Sequence, residues 1–235
     1  LWTVSLAPVA FAAAGRWKVL KEARWTRPPA SAWLVAAAGA FILWGSFSSS
    51  LPGFDPAAFY CLKAKSIVVH GTFWNEDFTD PARLHAAHRR PLLLSCIYAD
   101  LHLATGSFDT RMLRVWFAIL QVAAFGGMYD VLRGRMGRNE ASMALALYAW
   151  CPVLWGDAGG AMTPYADAPL SMIILFALTG ERPLAVFLVV AGALLKDEGT
   201  AFILPFAFAR GIRAAAIPAA VAAAWMMIAS RLPRD

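Results

Sequence analysis

Apolar positions in this chain gather into blocks at about 1–15, 31–50, 113–132, 139–156, 168–180, 183–195, 200–210 and 213–230, with polar residues confined to the connectors between them. Blocks of this kind predict helices in hydrocarbon, where about 20 apolar residues cross a core of about 30 Å. Several blocks are shorter than that, so their ends are expected to run into the linkers. One long stretch breaks the pattern: from Leu51 to Arg111 the chain carries Asp55, Lys63, Lys65, Arg83, Arg89 and Arg90. The fold class predicted is therefore all-α, a polytopic membrane helical bundle formed by residues 1–235 as one domain. The loop at 51–111 is expected to carry helices that lie in the membrane interface.

Composition agrees. The chain is 60% hydrophobic and 15% charged, with a mean hydropathy of +0.56, and its charges sit between apolar blocks rather than over a soluble surface. The net charge of +6 does not point to nucleic acid, because the basic residues occupy short connectors beside apolar runs. Cys61, Cys96 and Cys151 are odd in number and unpatterned, which argues against both a disulfide framework and a metal cluster. No basic segment precedes the first apolar block, so no signal peptide is read there.

Lys and Arg also set sidedness. Arg16, Lys18, Lys21, Arg24 and Arg27 form one basic connector, Arg133, Arg135 and Arg138 a second, Arg182 a third, and Arg210 with Arg213 a fourth. All four are expected on the cytoplasmic side. That parity holds only if the apolar run Pro91–Leu103 does not cross, and its Asp100 and His102 suit a helix lying in the interface. The loop 51–111 and the connectors around 157–167 and 196–199 then share the extracytoplasmic side.

Three clusters there can carry chemistry. Asp55-Pro56 is a good N-cap and first-turn pair for a helix at 57–70, and the same carboxylate is placed to take a proton from an incoming hydroxyl or amine. Asp157 and the run Thr163-Pro164-Tyr165-Ala166-Asp167-Ala168-Pro169-Leu170 form the second cluster. Asp167 is again either a cap or a functional carboxylate near hydrocarbon. In the third, Lys196-Asp197-Glu198-Gly199, the two acids suit the start of the following helix, Gly199 suits a turn, and Lys196 offers a point charge to a phosphate. Lys63, Lys65, Arg89 and Arg90 are either a solvated or headgroup-facing surface or a phosphate clamp, with Arg89-Arg90-Pro91 at the point of re-entry. His85 and His88 lack the glutamate of a zinc-hydrolase helix, and no metal or other cofactor is indicated. Trp44, Trp74, Trp150 and Trp155 fall near block ends, where indoles settle at headgroup level.

Taken in order, these pieces resemble the GT-C superfamily of membrane glycosyltransferases, in particular the bacterial branch related to protein O-mannosyltransferases and lipid A aminoarabinose transferases. The resemblance runs from about Trp33 to Ser230. It rests on Phe54-Asp55-Pro56, Tyr60, Lys63-Ala64-Lys65, His70-Gly71, His88-Arg89-Arg90-Pro91-Leu92, Gly106, Asp167-Ala168-Pro169-Leu170 and Lys196-Asp197-Glu198-Gly199. Pro56 stands where the family usually has a second acid, and the family's members are usually longer, with further spans. The resemblance implies an enzyme of the bacterial inner membrane that moves a sugar from a polyprenyl-phosphate donor to a glycan, lipid or protein acceptor at the extracytoplasmic face. It implies Asp55 and Asp167 as the catalytic carboxylates, and Lys63, Lys65, Arg89, Arg90, Lys196 and Glu198 as substrate contacts. The rival readings are a transporter or flippase for a lipid-linked or anionic substrate, which predicts mid-membrane charges and inverted repeats, and a non-catalytic membrane protein of the same fold.

Overall fold

The computed structural model describes residues 28–48, 60–80, 91–151 and 167–232, and among these the regular structure is helical throughout. In chain order the helices are α1 (Ala30–Ser48), α2 (Leu62–His70), α3 (Glu76–Thr79), α4 (Leu93–Thr105), α5 (Thr110–Arg133) and α6 (Arg138–Ala149). They continue with α7 (Asp167–Thr179), α8 (Arg182–Leu195), α9 (Asp197–Ala201), α10 (Ile203–Arg210) and α11 (Ile212–Ala229). Local chemistry sets the ends. Asp109 opens α5 by accepting the Arg111 backbone N–H at 2.8 Å, and that bond is the main reason its carboxyl is held below the usual range. Glu140 closes the start of α6 by accepting the Gly137 N–H at 2.7 Å. Gly71 and Gly106 end α2 and α4 in the left-handed region, at φ 69° and 64°, where a side chain would be strained.

Among the described residues three helices, α1, α5 and α11, are long and apolar enough to cross a membrane. Only 28%, 22% and 28% of their apolar windows are covered by the rest of the protein, so most of each span needs another apolar medium. Phe208 and Ile212 are 85% and 83% exposed, and Trp33, Trp44, Phe47 and Leu147 are also turned outward. Leaving such a side chain in water forgoes about 1.5–3 kcal/mol each, a cost that a bilayer removes.

Small residues bring the helices together. Ala38 and Ile42 of α1 meet Ala118 and Phe125 of α5 and Leu145 and Ala149 of α6, and Gly39 lies against Val122. Ala177 of α7, Ala185 and Val189 of α8, Phe206 of α10, and Ala214 and Ala215 of α11 form a second core. The two groups join where Phe176 of α7 lies on Gly127 of α5.

The contacts fix which helix ends lie together. Ser31 donates a buried hydrogen bond to Ser142 at 2.8 Å, so the start of α1 and the start of α6 share an end with the 133–138 connector. Arg210 donates to the carbonyls of Leu178 and Gly180 at 2.6 and 2.8 Å, which ties the end of α10 to the end of α7 beside Arg182. Phe176 on Gly127 sets both groups with these basic connectors at one end. Helix α4, Leu93–Thr105, is 13 residues, and the shared end of α1 and α6 is the arrangement expected when α4 does not cross.

The block at 200–210 runs back into its linker, so that helix begins at Asp197, and the ladder is interrupted near Phe202 because Pro205 has no N–H for the Ala201 carbonyl. One expectation is corrected: Gly199 does not make the turn. The extended backbone of Lys196, φ −156° and ψ 153°, does that. Gly199 is helical and buried against the Gly192 carbonyl of α8, where an added Cβ would collide. It serves close packing between α8 and α9.

Candidate functional site

At the end opposite the basic connectors, five elements converge on one apolar cluster. Tyr60 and Ala64 come from around α2, Leu94, Tyr98 and Ala99 from α4, Leu113 from the start of α5, Leu170 from the start of α7, and Leu195 from the end of α8. The neighbours of these residues in sequence include three that the sequence singles out as candidates. Lys63 precedes Ala64, Asp167 opens α7 one turn before Leu170, and Lys196 follows Leu195. Three segments far apart along the chain are thus brought to one end of the bundle.

The two lysines of α2 have different surroundings. Lys63 is 1% exposed within the α2–α4 packing and is engaged with a neighbour, whereas Lys65 is exposed, with its ammonium 5.7 Å from the centroid of Phe108. Beside Lys65 a shallow cleft is lined by Leu62, Lys65, Ser66, Val69 and Asp77. Its polar wall is an interlocked set: Ser66 donates to Asp77 Oδ2 at 2.7 Å, and His70 Nε2 stands 3.3 Å from the same oxygen. Asn75 caps α3 by accepting the Asp77 N–H at 2.9 Å. Sequence reading missed this set, because it joins a helix to the turn after it; the Asn75-Glu76-Asp77 cap was the available signal.

Lys196 Nζ lies 3.4 Å from Glu198 Oε1, so part of its charge is already answered. Asp197 and Glu198 occupy the first turn of α9, at the positive end of its dipole, as the sequence led one to expect. His102, expected as a polar residue of an interfacial helix, is buried with Nδ1 2.8 Å from the Ser107 carbonyl and its ring against Phe108. Trp150 does not stand free at a helix end: its indole N–H donates to the Leu34 carbonyl at 3.0 Å. Asp55, Arg89 and Arg90 lie outside the described residues, as do Asp157, His85, His88 and Trp155.

Burial governs the remaining titratable groups near the cluster. It pushes the Cys61 thiol up to about 12, and the Cys96 thiol up to about 11 with help from the Asp100 charge. Burial first, then Cys61 and Tyr60, raises the Tyr98 phenol well above its ordinary value. These groups stay protonated near neutrality and serve as packing or hydrogen-bond donors, not as nucleophiles. Among the described residues no group of three or more His, Cys, Asp or Glu side chains is arranged to hold a metal ion. Among the described residues the end of the bundle thus carries an exposed Lys65 beside the shallow cleft and a Lys196 partly answered by Glu198, next to a buried apolar cluster.

Comparison with protein families, with curated proteins and with solved structures gives no match.

Proposed function

We propose that the chain is a membrane glycosyltransferase of GT-C type, transferring a sugar from a polyprenyl-phosphate donor to an acceptor at the extracytoplasmic face of a bacterial inner membrane. One observation carries the reading: the segments bearing Lys63, Asp167 and Lys196 meet at the end of the bundle opposite the basic connectors. A lipid-linked donor needs cations gathered at the depth of its phosphate, and segments that meet in this way supply candidates for that role.

In the proposed step an acceptor oxygen attacks the anomeric carbon as the bond from that carbon to the phosphate oxygen breaks. The acceptor proton passes to the Asp55 carboxylate, and the electron pair leaves on polyprenyl phosphate. Asp167 orients the acceptor or the donor sugar. Arg89, Arg90 and Lys196, with the exposed Lys65 nearby, stabilise charge as it gathers on the departing phosphate, and Glu198 holds Lys196 toward it. Lys63, expected as a substrate contact, is buried in the α2–α4 packing and supports the fold instead.

The test is transfer from a panel of polyprenyl-phosphate hexoses and pentoses by the purified chain in proteoliposomes. Release of polyprenyl phosphate matched by glycosylated acceptor is the expected result. Passage of the intact lipid-linked sugar across the bilayer without cleavage would make the protein a transporter, and binding without turnover would make it a non-catalytic relative.

A further inference from the structure

At the far end of α11 the last turn packs on the segment that follows α2. Leu232 and Trp225 share an apolar cluster with Phe78, Leu92 and Phe73. Beside it an open cleft is lined by Phe73, Trp74, Ile228 and Arg231. Three observations bear on what the cleft takes. The candidate span ends at Ala229, so Arg231 stands just past it, at the depth of lipid headgroups. Trp74 and Ile228 remain 49% and 38% exposed, and Phe73 completes an apolar wall. Among the described residues Arg231 is the one charged residue of the lining, and no carboxylate pairs with it. Orientation in the membrane does not account for this cation, since the basic connectors lie at the other end of α11, beside Arg210 and Arg213.

We propose that this cleft binds an anionic glycerophospholipid. Its phosphate sits on Arg231, its acyl chain lies along Ile228 and Phe73, and the Trp74 indole rests at the glycerol level. A guanidinium beside an indole at the end of a span offers charge, donors and an apolar wall together, which a zwitterionic lipid satisfies less well because its own cation opposes Arg231. The inference requires residence in a membrane and is independent of sugar transfer.

The test is native mass spectrometry of the whole chain released from mixed micelles holding equal phosphatidylglycerol and phosphatidylcholine. Retained phosphatidylglycerol should exceed phosphatidylcholine by about 5-fold, the preference that one interfacial cation confers. Arg231→Gln should bring the ratio close to parity and Arg231→Lys should restore most of it. Trp74→Ala should lower retention of both lipids, and Arg213→Gln should leave the ratio unchanged. An unchanged ratio in Arg231→Gln overturns the proposal, as does equal loss in Arg213→Gln, which would mean diffuse attraction. Displacement by inorganic phosphate would mean a free-anion site, and preferential displacement by polyprenyl phosphate would make the cleft part of the donor site; either result also overturns it. Loss of sugar transfer with the lipid preference intact would refute the enzyme and leave the lipid site standing.

Discussion

Asp55→Asn is expected to lower sugar transfer by about 10²–10⁴-fold while the protein inserts and melts as before. The choice of Asn separates the two roles open to this carboxylate. Asn caps a helix about as well as Asp, so a residue that only opens the helix tolerates the change within a few tenths of a kcal/mol. As a base it fails, because an amide oxygen does not hold the acceptor proton. Asp55→Ala removes both functions and should add about 1 kcal/mol of destabilisation to the same loss of rate. Transfer assays paired with thermal melts of the two variants check this. Full transfer by Asp55→Asn would remove Asp55 from the chemistry.

Lys63→Met is expected to have the largest effect on stability, about 3–5 kcal/mol, a fall in the melting midpoint on the order of 10 °C in detergent. Lys63 is 1% exposed and engaged with a neighbour, so removing its ammonium from the packed α2–α4 contact takes away that engagement at a buried position. Lys65→Met is the matched control, since its exposed ammonium over Phe108 is worth under about 1 kcal/mol. Activity lost in Lys65→Met with an unchanged melt would report substrate contact. An unchanged melt in Lys63→Met would mean that the buried lysine contributes nothing to the fold.

The contrast between these lysines shows what the sequence can carry. Lys63-Ala64-Lys65 reads as one basic patch, yet residues two apart on a helix point in nearly opposite directions, and only the packing of α4 decides which is covered. The ends of α7 and α8 were legible to within a residue, because Asp167 and Arg182-Pro183 punctuate apolar runs with residues that helix starts favour. The start of α9 was placed late in delimiting the 200–210 block, since its first turn is polar, although Asp197 and Glu198 suited a helix start by dipole. Gly199 was misread for a different reason: its neighbour is Gly192 on another helix, and no local pattern reports such an approach. The long spans α1, α5 and α11 were plain from composition. The sharing of ends was inferred from Lys and Arg, and the Ser31–Ser142 and Arg210 contacts match it.

The central claim is that Asp55 joins Lys196 and Asp167 at the end of the bundle away from the basic connectors. In a background lacking the three cysteines, Asp55→Cys paired with Lys196→Cys tests it by crosslinking with a short bis-maleimide in native membranes. Arg182→Cys, at the other end of α8, is the reference, because 14 helical residues separate the two ends by roughly 21 Å. Crosslinking of the Asp55–Lys196 pair, and not of the Asp55–Arg182 pair, is the expected result. Efficient crosslinking to position 182, with none to 196, would contradict it.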